Sequence, residues 1–441
     1  MKYKIGLVSL GCAKNQTDAE TMLSLLLEGG CEIVSDPAEA EVIIVNTCGF
    51  IDSAKQESID AILEMAEYKE SGACRCLIVT GCLAERYADQ MLAELPEADA
   101  VLGTGDYDRI AEVIRLALED GETPVISGHI DRTPECAVTR TLLTPPYTAY
   151  VKIADGCDNN CTYCAIPKIR GHFRSRKIDD ILAEVRELAQ RGVRELILIA
   201  QDTTRYGLDI GTTLGALLDE LVKIDGIEWI RVHYYYSEAI TKELIDTMAR
   251  HEKICNYIDM PVQHADNYIL RRMARRTSRE EMEEKIAYIR KTLPGCYIRT
   301  SIIVGFPGET EEHFENLCDF VKTMRFDRMG VFTYSQEEDT PAADFPDQVD
   351  EAVKEERLDR LMSLQQGISL ELNQARIGRT LEVLVEGYDE DNYLFYGRGR
   401  GDSIDVDGKI YFATVDEVEP GDIIRVKILD ASEYDLTGER I

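Results

Sequence analysis

Three cysteines stand at Cys157, Cys161 and Cys164 in the run "DGCDNNCTYCAIPKIRG", and three more at Cys12, Cys48 and Cys82. Thiolates bind soft metals, so number and company decide which one. A structural zinc site takes four ligands; a catalytic one takes three and a water, usually with histidine among them. The nearest histidine is His172, eight residues past Cys164. Iron–sulfur cubanes are held by cysteine thiolates, normally four per cluster. Three thiolates therefore leave one iron open to a small molecule.

The second set is scattered in sequence, but its setting is repetitive. Cys12, Cys48 and Cys82 close the apolar runs "LVSLGC", "IIVNTC" and "LIVTGC". If these runs are parallel strands, their ends open on one edge of a sheet, where such folds bind ligands. Two of the three cysteines follow glycine, which lets the backbone approach a bulky group. Cysteines 31, 74, 76, 136, 255, 296 and 318 sit mostly near helical or linker patterns and read as packing residues.

The elements that must hold these residues follow from periodicity. From residue 3 to 118, short apolar runs alternate with helical patterns, which predicts an N-terminal doubly wound parallel sheet. "TDAETMLSLLLEGG" reads as the first helix, with Thr17 and Glu20 as a capping box and Gly29-Gly30 as its stop. Residues 119–147 carry Pro124, Pro134, Pro145 and Pro146 and read as a linker. From 148 to 375 the alternation resumes for six rounds: "AYVKIA", "ELILIA", "WIRVHYY", "YIDM", "YIRTSIIV" and "RMGVFTY". Six units are too few for a closed eightfold barrel, so a partial (β/α)6 barrel is expected, with its chemistry at the carboxyl ends of the strands. Residues 376–441 hold short strands and turn signals, and read as a small all-β barrel. Class α/β describes the whole.

With Tyr163 before its last cysteine, the Cys-x3-Cys-x2-Cys pattern after the first barrel strand resembles the radical S-adenosylmethionine superfamily. Adding Cys12, Cys48 and Cys82 and the small C-terminal barrel, the chain resembles the methylthiotransferase family over nearly its full length, with a TRAM-like final module. The resemblance implies two 4Fe-4S clusters, on Cys12/Cys48/Cys82 and on Cys157/Cys161/Cys164, with S-adenosyl-L-methionine as cosubstrate. It places Tyr163 against the adenine, and Gly305, Gly308 and Glu309 of "IIVGFPGET" along the cofactor pocket. One S-adenosylmethionine would methylate sulfur held at the first cluster. A second would be cleaved at the other to a radical that takes hydrogen from the β-carbon of an aspartate.

Composition bears on the substrate. The net charge is −33, and from Gly378 to Ile441 seven Lys/Arg face sixteen Asp/Glu. Such a surface repels a phosphate backbone and attracts a basic protein. Together with the wording of "QDTTRYG" and "DMPVQHAD", this favours the branch acting on small-subunit ribosomal protein twelve, free or on the ribosome. A transfer RNA adenosine enzyme and a non-catalytic iron–sulfur sensor or electron carrier remain the alternatives. The basic run "PKIRGHFRSRK" reads either as a solvated face or as a partner for the cofactor carboxylate or an acidic target. A reductant such as flavodoxin or ferredoxin and a sulfur donor are implied partners. Thirteen cysteines with no export signal indicate the reducing cytoplasm, and no window has the eighteen or so apolar residues of a membrane span.

Overall fold

The structure is a computed structural model that describes residues 2–132 and 139–441; Cys136 and Pro134 lie outside the described residues. The N-terminal unit is a six-stranded parallel sheet of β1 (Lys4–Ser9), β2 (Glu32–Ile33), β3 (Val42–Thr47), β4 (Cys76–Gly81), β5 (Ala100–Leu102) and β6 (Val125–Ile126). Its order is β2-β1-β3-β4-β5-β6, so the winding reverses between β1 and β3. Both faces are covered by helices over separate apolar cores, which is why β3 and β4 are buried at every position and read as unbroken apolar runs. Strand β6 falls within the proline-bearing segment that reads as a linker, and adds an edge strand there.

The first helix spans Ala13–Glu28 and starts directly after Cys12, four residues ahead of the expected Thr17 cap. Thr17 lies inside it and donates to the Lys14 carbonyl, while Glu20 is buried in an ion pair with Arg140. An internal acidic residue with a distant basic partner looks the same in sequence as half of a capping box. The predicted stop at Gly29-Gly30 stands, with Gly30 at φ +85°.

The central unit has six parallel strands in sequence order: β7 (Thr148–Lys152), β10 (Glu195–Ile199), β11 (Trp229–Val232), β12 (Tyr257–Asp259), β13 (Tyr297–Val304) and β14 (Arg328–Thr333). Two runs of three are joined by a single bridge between Ile230 and Ile254, giving the partial barrel expected. A small antiparallel pair, β8 (Ala154–Asp155) with β9 (Arg174–Ser175), frames the loop that bears Cys157, Cys161 and Cys164. A long helix, Glu351–Gln374, leads to the last unit, a closed five-stranded barrel in the order β15-β16-β17-β19-β18. These strands are β15 (Thr380–Asp389), β16 (Leu394–Gly399), β17 (Ile410–Ala413), β18 (Ile423–Ala431) and β19 (Leu436–Arg440).

The β16–β17 connection enters the concave interior of the partial barrel. Ile404 packs on Tyr150, Ile197 and Ile199; Ser403 Oγ pairs with His233 Nε2 at 2.9 Å; and Tyr257 donates to Asp407 at 2.7 Å. Burial holds His233 down to about 3, so it stays neutral in this contact. Around the entry, Arg398 reaches Glu195 at 2.6 Å, Arg231 reaches the same carboxylate at 3.0 Å, and Arg328 reaches Asp402 at 2.7 Å.

Burial alone would raise the Glu195 carboxyl, but Arg398 and Arg231 outweigh it and hold the group at about 2, against an ordinary 4.5. Its stabilising contribution is therefore complete above the unfolded value and is lost as pH falls from 4.5 towards about 2. Replacing Glu195 with Gln leaves the buried Arg231 guanidinium without its counter-charge and Arg398 with Glu386 alone, at 2.6 Å. The expected cost is about 3–5 kcal/mol, read as a lower urea midpoint at neutral pH, with a smaller difference from the parent protein below pH 4.

Candidate active site

The reversal of winding between β1 and β3 opens a crevice at the carboxyl ends of the strands. Cys12 follows β1 and caps the first helix, Cys48 follows β3, and Cys82 follows β4 to open the helix Cys82–Arg86. The three thiols lie close enough for their charges to act on one another. Cys12 keeps an exposed surface, Cys48 is half-buried and Cys82 is buried.

Asn15, one turn into the first helix, stitches the three loops together. Its amide nitrogen donates to the Leu10 carbonyl at 3.0 Å and the Thr47 carbonyl at 2.8 Å, beside Cys12 and Cys48. Its side-chain oxygen lies 3.7 Å from Cys82 Sγ. The glycines let these loops pack on each other. A Cβ on Gly11, at φ +88°, would stand 3.0 Å from Cys48 Cβ, and one on Gly81, at φ +94°, 2.5 Å from the Thr47 carbonyl oxygen.

Burial pushes the Cys82 thiol up to about 11, with the charge of Arg170 pulling the other way. For Cys12 burial also acts upward, but Lys14, Arg170 and two backbone N–H groups outweigh it, so the thiol falls below the usual range. The crevice thus carries positive charge aimed at sulfur, suited to a thiolate-bound group.

Cys157, Cys161 and Cys164 are all half-buried on the loop after β8. Burial pushes Cys157 up to about 11 and Cys164 well above the thiol range. The Tyr236 hydroxyl lies 3.3 Å from Cys161 Sγ, and Arg275 covers the Tyr236 ring at 4.1 Å while pairing with Glu238 at 2.8 Å. Tyr163 packs on the apolar cluster of Ile269, Met273, Phe306 and Tyr334, with Arg275 at its hydroxyl. Gly305 and Gly308 both have positive φ, at +72° and +83°. Glu309 faces protein: it accepts from the Gly305 N–H at 3.0 Å, pairs with Arg357 at 2.9 Å and lies 3.4 Å from His264. It thereby fixes the Gly305–Gly308 turn.

The two triplets share a wall. Cys82 packs against Ala165, the residue after Cys164, and Lys14 lies over the Tyr234 ring at 3.4 Å. Among the described residues, no three His, Cys, Asp or Glu side chains converge closely enough to hold a single metal ion. Two all-thiol sets, one at strand ends and one on a loop, suit a cubane, whose thiolates bind different irons.

Residues 4–103 match Uncharacterized protein family UPF0004, 151–321 the Radical SAM superfamily, and 377–441 the TRAM domain. The chain is 51% identical over 438 residues to ribosomal protein uS12 methylthiotransferase RimO of Clostridioides difficile, covering 99% of this chain and 98% of that one. It is 50% identical over 444 residues to the RimO of Pelotomaculum thermopropionicum, covering all of both chains at 100%. The chain belongs to the RimO family. It is a radical SAM methylthiotransferase. The fold is shared with the methyltransferase TsrM from Kitasatospora setae, at TM-score 0.60 and 12% identity over 83% of this chain and 89% of that one.

Within this RimO-family chain, the arginines of the basic run after Cys164 are held by protein groups, while Lys168, His172 and Lys177 stay exposed. Arg170 is buried against Asp18, Arg176 pairs with Glu184 at 2.7 Å, and Arg174 donates to the Arg170 and His172 carbonyls. Asn15, Lys14 and Tyr236 went unread in the sequence; the nearest signal was the place of Asn15, three residues past a strand-end cysteine. Substituting Gly81 by Ala would force both the backbone and the Cys48 loop to shift. Anaerobic reconstitution is expected to show iron content reduced by about half, with the spectrum of the remaining centre that of the Cys157/Cys161/Cys164 site.

Proposed function

We propose that this enzyme attaches a methylthio group to the β-carbon of an aspartate in ribosomal protein uS12, using two 4Fe-4S clusters and S-adenosylmethionine. Cys157, Cys161 and Cys164 would hold one cluster, and Cys12, Cys48 and Cys82 the other. The observation that carries this reading is the shared wall between the triplets, with Cys82 against Ala165. A carbon radical made beside one site must meet sulfur at the other before water or solvent quenches it, and misplacement by about 1 Å can cost two orders of magnitude.

When bound, the clusters supply one-electron cleavage of S-adenosylmethionine at the barrel site and a sulfur reservoir at the other. The chain's own residues set the stage. Tyr236 places a hydroxyl on Cys161, and Arg275 holds Tyr236 and Tyr163 together. Tyr163, Phe306 and Tyr334 wall one side with apolar surface, which excludes water. The buried Glu309–Arg357 pair keeps the Gly305–Gly308 turn from moving as a ligand enters.

The acidic C-terminal barrel supports a basic protein substrate. Glu390, Asp391, Asp416, Glu417, Glu419 and Asp430 are exposed, whereas Arg398 is turned inward to Glu195 and Arg400 pairs with Glu382. Ribosomal proteins are basic and soluble partners, which sets the reaction in the cytoplasm, with a flavodoxin- or ferredoxin-like reductant and a separate sulfur donor.

The test is a competition under anaerobic conditions, with ribosomal small subunits and bulk transfer RNA offered together and both products read by mass spectrometry. A methylthio mass gain on an aspartate of uS12 is expected; a gain on transfer RNA adenosine would overturn the substrate assignment. In parallel, Cys161→Ala is expected to abolish 5′-deoxyadenosine formation while the absorbance of the N-terminal cluster persists at about half the parent value.

A further inference from the structure

One buried side chain touches both cysteine regions at once. Arg170 ends the short helix Ile166–Arg170, which begins two residues past Cys164, and only 2% of its side chain is exposed. Its guanidinium donates to Asp18 Oδ2 at 2.6 Å, Asn15 Oδ1 at 2.8 Å, Asp155 Oδ2 at 3.3 Å and Cys82 Sγ at 3.6 Å. Asn15 and Asp18 ride on the helix that Cys12 caps, and Asp155 stands two residues before Cys157.

The surrounding charges make this arrangement stiff. Lys152 also pairs with both Asp18 and Asp155, so two cations and two carboxylates alternate in a closed set. Gln201 donates to Asp155 Oδ1 at 2.9 Å, and the Gly156 N–H to the same atom at 3.0 Å. With Asp18 and Asp155 neutralised by Lys152 and Arg170, the guanidinium edge facing Cys82 is left to act on sulfur. A hydrogen bond to a cluster thiolate favours the reduced, more negative state.

We propose that Arg170 is a positioning residue that sets the reduction potential of the N-terminal cluster through its hydrogen bond to Cys82, while locking that site in register with the loop of Cys157. The inference rests on the reading that Cys12, Cys48 and Cys82 hold a 4Fe-4S cluster. The step concerned is the uptake of one electron, from dithionite in the test, taking the cluster from the 2+ to the 1+ state with no bond broken.

The experiment uses the full chain with Cys157, Cys161 and Cys164 replaced by alanine, so that only the N-terminal cluster remains. Arg170→Lys, Arg170→Gln and Arg170→Met are made in that background, and iron content and an EPR-monitored midpoint potential are measured. The midpoint is expected to fall in Arg170→Met and to recover in part in Arg170→Lys, which keeps the charge. An unshifted midpoint in the variants that load iron overturns the proposal. So does loss of the cluster from all three, which would make Arg170 a residue of assembly alone. If the background chain itself binds no cluster, it is the assignment of Cys12, Cys48 and Cys82 that fails, and the role of Arg170 falls with it.

Discussion

Between the three units of this chain, the contacts that fix their arrangement are buried ion pairs. Arg140 joins Glu20 of the first helix to Glu184 on a barrel helix, at 2.8 Å to each. Arg86, four residues past Cys82, donates to the Gly49 carbonyl and pairs with Glu337 of the barrel, which Lys55 also meets at 3.0 Å. Arg398, Arg231 and Arg328 do the same for the C-terminal barrel. Apolar surfaces can slide over one another at little cost, but a buried guanidinium has few geometries in which its charge and donors are satisfied. In a protein that must hold two cysteine sites against each other, such joints set register. Two hydrogen bonds beside them, Arg170 to Asn15 across the units and Arg86 to the Gly49 carbonyl within the first, end within three residues of the cysteines.

The part of this design that sequence displays is the part governed by periodicity. Strands buried on both faces, such as β3, β4 and β10, must be apolar throughout, so "VIIVNT", "CLIVTG" and "ELILI" stand out from their surroundings. The cysteine spacing stands out because thiols are few and their neighbours distinctive. The polar seams have no period. Asp18, Glu20 and Lys152 look like surface residues because each finds its partner more than a hundred residues away. The same blindness turned Thr17 and Glu20 into an apparent cap and hid the buried pairing of Arg170 with Asp18.

Cysteine itself divides in the same way. Cys31, Cys74, Cys76, Cys255, Cys296 and Cys318 are buried and pack within the apolar cores. Five of the six strand-end and loop cysteines keep some exposure, and the sixth, Cys82, has Arg170 at its sulfur. Exposure, which spacing does not show, sets those five apart from the packing set.

The connection that carries Ser403, Ile404 and Asp407 into the barrel interior fills one end of it with side chains of the last unit, Ile404 resting on Tyr150, Ile197 and Ile199. The C-terminal barrel is thereby part of the central unit's own packing, and a chain cut short before residue 400 would leave those apolar side chains open to water.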